Sequence, residues 1–517
     1  MSIFELIGVG LTAVWGIEPF GWMLLGTFLG IIVGATPGLS SGMAVALLLP
    51  ITFAMSPLNA LIFLTSTYVA VTYGGSLTAI LLNTPGAPEN AATALDGYPL
   101  TQQGRASEAL GTAIMSSALG GLFSYLMLLV GIGALAAFAL RFGPPELFLV
   151  ALMGIAILGT IGSGSPLKIL ASGVFGLMLG TIGLVPTGEW RATFDSLYLV
   201  EGMPVVPILI GLFVVTELLV LIGREYVVQG SSGVDQRSIA GMKRGFGVPF
   251  RHWRTLLRSG PTGMLVGMVP AAGGTLAAFA SYALAKRASK DPDSFGKGNP
   301  DGIVAAESSN NACSGGALMT TMVLGVPGSV ATAVLLGAMT MHDLRAGPQL
   351  VHQQIPVVYG LIMAAIISQV FMVAMAAGAG YAMTGALSVR TRILVPVLMM
   401  FSILGAFGLR NATFDVYLML GFGLLGFLMR YYDYSPTAVV MGVILGPIAD
   451  NELIRTMQLY RDNWYLSFFE RPVAFALLVV LVASLSIGAY KAFRGSRAKR
   501  RMRSLVGPGT QMPVDDF

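Results

Sequence analysis

YGGSLTAILLNTPGAPENAATAL, residues 73–95, decides how the rest of this chain is read. An apolar approach ends at Asn83-Thr84-Pro85-Gly86, and a second apolar-leaning run follows. A weaker copy lies far downstream: SGGALMTTMVLGVPGSVATAVL, residues 314–335. Each copy puts Gly-Gly before a helical segment, Pro-Gly after it, and Ala-Thr-Ala beyond, at Ala92-Thr93-Ala94 and Ala331-Thr332-Ala333. The second copy is shorter between its Pro-Gly and its Thr. A break of this kind in apolar surroundings frees backbone N–H and C=O groups, which is tolerated at membrane depth only where protein or a water-filled cavity covers them. Two breaks at matching positions of two halves mark a binding site in mid-membrane.

The composition requires a membrane. Of 517 residues, 55% are hydrophobic and 11% charged, against about a quarter charged in soluble proteins, and the mean hydropathy is +0.77. Apolar runs of some 20 residues recur, so about 12 spans fit the length. Gly 66 and Pro 27 suit close helix packing and broken helices. The net charge of +5 is local. Basic residues gather in the loop 224–258 (Arg224, Arg237, Lys243, Arg244, Arg251, Arg254, Arg258) and in the tail from Lys491 to Arg503. The loop 188–202 instead carries Glu189, Asp195 and Glu201 against Arg191. Positive-inside reasoning puts the two basic segments, and so the C-terminus, in the cytoplasm and the acidic loop outside. This basicity reports topology, not nucleic acid. The one cysteine, Cys313, excludes a disulfide framework and a thiolate metal cluster. The start, MSIFELIGVG, lacks a basic n-region and reads as a first apolar or interfacial segment, not a signal peptide.

The second half opens as the first does: GMLVGMVPAAGG from Gly263 stands beside GIIVGATPGLSSG from Gly30. The expected fold is an all-α polytopic membrane protein of two related halves with Pro-Gly-broken or re-entrant helical hairpins. The expected divisions are 1–20 (N-terminal segment), 21–223 (first repeat), 224–258 (basic connector), 259–490 (second repeat) and 491–517 (basic tail). Counting spans from the basic anchors puts the polar stretch 96–108 inside and 341–354 outside; equivalent positions on opposite sides predict an inverted repeat, frequent among transporters, with a parallel repeat as the alternative. The long runs 109–140 and 355–384 are each expected to be a span, or to conceal a further break.

Helix starts after a Pro-Gly turn present free N–H groups and a partial positive charge, so a carboxylate can be held there without a basic side chain in the membrane. The expected substrate contacts are Asn83, Thr84, Pro85 and Gly86 from the first copy, Gly325, Pro327 and Gly328 from the second, and Asn310 and Asn311, neutral amides that serve an anion or a cation. Thr36, Pro37, Gly38, Ser40 and Ser41 supply hydroxyls and carbonyls for a coupling cation; the bland alternative there is small-residue helix packing. Glu307 reads as an intramembrane carboxylate, functional by default, or as an interfacial helix start. Glu89 and Asp96 read as caps. No phosphate loop, HExxH zinc motif or GxSxG elbow is present, and no nucleophile–base or metal cluster favours an enzyme.

The segments GATPGLSSGMAVALLLPITF (34–53), YGGSLTAILLNTPGAPENAATALDGYPL (73–100), FASYALAKRASKDPDSFGKGNPDGIVAAESSNNACSGGAL (279–318) and LGVPGSVATAVLLGA (324–338) resemble the large membrane subunit of the tripartite tricarboxylate transporters, the TctA family. Two places depart from that family's pattern. Ala306-Glu307-Ser308-Ser309-Asn310-Asn311 stands where Pro-Glu-Ala-Ala-Asn-Asn is expected, and a Pro expected near Thr320 is missing. The resemblance implies a bacterial inner-membrane importer of small carboxylates, driven by Na⁺ or H⁺ without ATP or any other cofactor. It implies two partners, a small four-span membrane subunit (TctB-like) and a periplasmic solute-binding protein (TctC-like); a homodimer is compatible with it. The competing readings are a channel and a non-transporting scaffold subunit.

Overall fold

The computed structural model describes residues 2–36, 38–161, 165–222, 238–270, 272–383 and 391–486. These residues are overwhelmingly helical, with one two-stranded ribbon, Gly183–Leu184 on Trp190–Arg191. Among the described residues, six helices are long and apolar enough to cross a membrane, including Pro57–Leu82, Ala106–Ala139 and Ile355–Ala382. Several other apolar helices are shorter, because the breaks cut them. Ala106–Ala139 and Ile355–Met383 run without a further break. The basic residues from Arg224 to Arg237 and the whole basic tail lie outside the described residues.

Glycine spacing sets the packing of each half. Gly26, Gly30 and Gly34 of the helix Ile17–Gly34 lie on the backbone carbonyls of Phe63, Thr67 and Val71 in Pro57–Leu82, where a Cβ would collide. Both registers rise together, so these two helices are parallel. The segment between them, Ser41–Leu48 with the 3₁₀ turn Leu49–Ala54, must therefore run back, which makes Ile17–Ala54 a helical hairpin. The second half repeats this. Gly263 and Gly267 of Trp253–Met268 lie on Ser309 and Cys313 of Pro300–Leu324, and Gly273–Ala288 is the returning arm.

The Pro-Gly breaks are not kinks. Asn83 (φ 53) and Gly325 (φ 68) cap their helices in the left-handed conformation, which reverses the chain. After Asn83 the chain runs back along its own helix: the Gly86 N–H donates to the Gly75 carbonyl at 3.1 Å, and Asn90 Nδ2 to the Thr72 carbonyl at 2.9 Å. Ala91–Gln102 then goes forward again, and Thr101 Oγ1 donates to the Ile80 carbonyl at 2.7 Å. The stretch 96–108, expected as a loop, is thus mostly helix with a short turn at 103–105. The downstream copy turns back in the same way. Gly328 lies on Ala317 and Gly267, and Val330–Met341 sets out from there.

The halves interlock. Ala106–Ala139 of the first packs along Pro300–Leu324 of the second, where Tyr125 Oη meets Ser314 Oγ at 2.7 Å. Ile355–Met383 packs along Pro57–Leu82, and Ser368 Oγ donates to Ser66 Oγ at 2.7 Å. The two reversing helices cross in opposite senses, since Thr72 meets Asn310 while Ser76 meets Glu307. Elsewhere Pro166–Gly180 packs on Pro436–Tyr460 and Thr413–Tyr431 on the π-helical stretch Ile210–Val215, both through glycines.

Candidate functional site

Four chain reversals converge at the level of Thr72 and Asn310. Within each half, the two breaks are joined by a backbone bond: the Gly38 N–H donates to the Gly86 carbonyl at 2.9 Å, and the Gly273 N–H to the Gly328 carbonyl at 3.3 Å. Between halves, Tyr68 Oη meets Ser329 Oγ at 3.1 Å, and Asn310 Nδ2 donates to the Thr72 carbonyl at 3.3 Å. Gly42 lies against Val330, and Gly274 lies against both Asn310 and Glu89, with no room for a side chain at either glycine.

These tips enclose a cavity of about 210 Å³. Its walls are helix starts: Ser40-Ser41-Gly42, Gly273-Gly274-Thr275, Ser329-Val330 and the turn Pro88-Glu89. Two of these starts are self-satisfied. Ser40 Oγ accepts from the Met43 N–H, and Ser329 Oγ accepts from the Thr332 N–H in a capping box with Thr332. The start at Gly273 has Ala272 as its N-cap and no side-chain cap; the Gly328 carbonyl takes the Gly273 N–H, and the next N–H groups, of Gly274 and Thr275, have no side-chain cap at the cavity wall. Tyr68, Thr72, Asn310 and Thr437 add hydroxyls and an amide. No Lys, Arg or His is among the lining residues. Such a site holds a small anion by backbone N–H groups and neutral donors.

The structure distributes the sequence-derived candidates unevenly. Ser40, Ser41 and Asn310 line the cavity. Gly86 and Gly328 are buried at the reversals and shape it by close packing; Pro327 is buried beside Gly328, and Pro85 is half-buried. Asn83 and Thr84 are exposed at the far end of their helix, where Thr84 Oγ1 donates to the Leu82 carbonyl. Gly325 lines a different, larger hollow of about 780 Å³ at the Arg410 and Asp450 end. These three residues make the reversal, and the reversal carries the tip, not the Asn-Thr pair, to mid-depth. Asn311 is buried with no partner for either side-chain atom and does not line the cavity. Thr36 Oγ1 donates to the Ile32 carbonyl, and Gly38 (φ +90) turns the first hairpin. Pro37 lies outside the described residues.

Other buried polar residues were not assigned to the site. Gly273 to Thr275, Tyr68 and Ser329 line the cavity; the only sequence signal was the match of PAAGGT to the first-half break. Glu307 is fully buried: it accepts from Ser76 and Ser117 at 2.5 Å and from Thr93. Asp96 is no cap of its own helix. Its Oδ1 accepts from the backbone of Gly296, Gly298 and Asn299 at 2.8–2.9 Å and its Oδ2 from Tyr282 Oη at 2.8 Å, so it clamps the connector 289–299 of the other half.

A profile of the "Tripartite tricarboxylate transporter TctA family" matches residues 20–441. Two proteins of Agrobacterium vitis are similar. The "Uncharacterized 52.8 kDa protein in TAR-I ttuC' 3'region" is 34% identical over 482 residues, 92% of this chain and 94% of the relative. The "Uncharacterized protein in TAR-II ttuC' 3'region" is 28% identical over 235 residues, 46% of this chain and 97% of the relative.

Proposed function

Because this chain belongs to the tripartite tricarboxylate transporter TctA family, we propose that it is the large membrane subunit of an ion-coupled importer of small organic carboxylates, with the cavity between the four tips as its substrate site. The observation that carries this reading is a cavity walled by helix starts, one of them uncapped, and lacking a basic side chain. An anion bound there pays little desolvation, because oriented N–H groups replace its water. Glu89 supports the coupling. A substrate carboxylate beside it sets two like charges in one cavity, and a co-bound Na⁺ or H⁺ removes the repulsion.

The two halves are read as inverted-topology repeats. Support comes from the opposite run of Pro57–Leu82 and Pro300–Leu324 and from the recurrence of the same backbone bond between breaks in each half. The basic helix Ile239–Arg251 and the turn 103–105 lie at one end of the molecule, where Glu108 is in reach of Arg105 and Arg244. The acidic loop 188–202 belongs to the other end. Positive-inside reasoning makes the first end cytoplasmic in a bacterial inner membrane. A TctB-like small subunit and a TctC-like periplasmic binding protein complete the proposed importer, with the binding protein delivering substrate at the acidic end.

The test is uptake of labelled tri- and dicarboxylates into proteoliposomes holding the full assembly, with and without Na⁺ or a pH gradient. Saturable, ion-dependent, binding-protein-dependent uptake is expected, and Asn310→Ala should raise KM about tenfold through loss of one hydrogen bond of about 1.4 kcal/mol. Non-saturating flux indifferent to the binding protein makes the chain a channel and ends this reading.

A further inference from the structure

Glu307 lies one helical turn from the cavity residue Asn310, in the third turn of Pro300–Leu324. It is completely buried. Its two oxygens gather hydroxyls from three elements of the other half: Ser76 from Pro57–Leu82 and Thr93 from Ala91–Gln102 on Oε1, and Ser117 from Ala106–Ala139 on Oε2. Asn90, next to the cavity residue Glu89, donates from Nδ2 to Ser76 Oγ at 2.8 Å and so joins this cluster to the tip.

The charged and titratable groups on the surrounding elements can be named. Tyr73, on the crossing helix, is within electrostatic reach, and its buried hydroxyl has no partner. Asp96, one turn beyond Thr93, is held by three backbone N–H groups and by Tyr282. Tyr125, on Ala106–Ala139, is bonded to Ser314. Cys313 and Asp301 share the helix of Glu307, and Asp301 pairs with His252. Among the described residues, no Lys, Arg or His makes an ion pair with Glu307. An ionised carboxylate buried without a cation is costly, and the usual escape is to bind a proton.

We propose that Glu307 is a proton-binding site of the carrier, taking a proton from bulk water and returning it as the tips rearrange. In the ionised form, all three hydroxyls donate to the carboxylate. When a proton from hydronium forms an O–H bond at one oxygen, leaving water, one hydroxyl turns from donor to acceptor. That hydroxyl's own hydrogen then needs a new acceptor, and the unpartnered Tyr73 hydroxyl and Asn311 amide supply buried polar capacity beside the cluster. The oxygens of Ser76 and Ser117 stand 2.5 Å from the carboxylate, close enough for hydrogen bonds to either of its protonation states. This inference rests on the ion-coupled reading of the cavity and assigns H⁺ as the ion bound here.

The test is infrared titration of the carboxyl stretch in purified full-length protein, between about pH 5 and pH 9. A protonated-carboxyl band that titrates in the native protein and is missing in Glu307→Gln is expected. Ser117→Ala removes a donor that favours the ionised form and should move the midpoint up by about one pH unit. It keeps the readout available if Glu307→Gln does not fold. A carboxyl in one state throughout the range, or one answering to Na⁺ at fixed pH instead of to pH, overturns the proposal. The measurement needs no uptake. Uptake without titration therefore removes the proton site and leaves the carrier, and titration without uptake does the reverse.

Discussion

The two reversing tips begin alike and end differently. Both leave a long helix through a left-handed cap, pass a Pro-Gly and seat a glycine on the neighbouring hairpin (Gly86 on Gly34, Gly328 on Gly267). Six residues then separate Gly86 from Thr93, but only three separate Gly328 from Thr332. In the short tip, Ser329 and Thr332 cap the helix they begin, and the chemistry closes on itself. In the long tip, Asn90 makes no side-chain cap bond; it reaches Thr72 and Ser76, Glu89 enters the cavity, and Thr93 turns to Glu307. One half has kept a self-sufficient helix start. The other has turned the same position outward, toward the cavity and toward the buried carboxylate. A repeat of this kind supplies one frame twice and lets its two copies carry different side chains.

The comparison can be broken at its most asymmetric point. Asp96 stands three residues after Thr93, where the second half has Leu335 after Thr332. Asp96→Leu makes the halves alike and strips the acceptor from three backbone N–H groups of the connector. A loss of about 3 kcal/mol is expected, read as a lower unfolding midpoint of the purified protein; an unchanged midpoint would mean that the clamp holds nothing. The symmetric part is tested next. Gly86→Ala and Gly328→Ala each force a Cβ onto the neighbouring hairpin's backbone and should each cost about 1–3 kcal/mol. If one is tolerated and the other is not, the tips do not share a frame. Then Ser329→Ala should cost about 1 kcal/mol as a lost cap with the substrate KM raised through the cavity wall. Asn90→Ala removes no cap, so its deficit should appear chiefly in uptake rate. The smallest effect belongs to Asn83→Gly: relief of a left-handed residue, under about 1 kcal/mol, with KM unchanged because Asn83 is remote from the cavity. A changed KM there would return the Asn-Thr pair to the site.

The breaks were legible because Gly and Pro carry their conformational meaning locally. So were the helical hairpins in outline, since GMLVGMVPAAGG from Gly263 repeats GIIVGATPGLSSG from Gly30. The position of the polar residues within each break was not legible. Periodicity places Asn83 at the break, but only the left-handed cap, set by the neighbouring hairpin, tells which way the chain leaves. The burial of Glu307 and Asp96 was also hidden. Each depends on partners some two hundred residues away, Ser76 and Thr93 for one and the connector 289–299 for the other, and such partners leave no mark at the residue itself.

By itself the sequence determined a helical membrane protein, its duplicated Pro-Gly breaks and, through long matching segments, its family, because hydropathy, glycine freedom and proline's missing N–H act within a few residues. The tertiary structure alone decided which residues of the breaks wall the cavity, the helix starts at Ser40, Gly273 and Ser329 and not Asn83 and Thr84, and that one carboxylate lies among three hydroxyls from the opposite half. Those outcomes follow from how two interlocked halves cross, and a crossing is a property of pairs of distant segments that no local stretch contains.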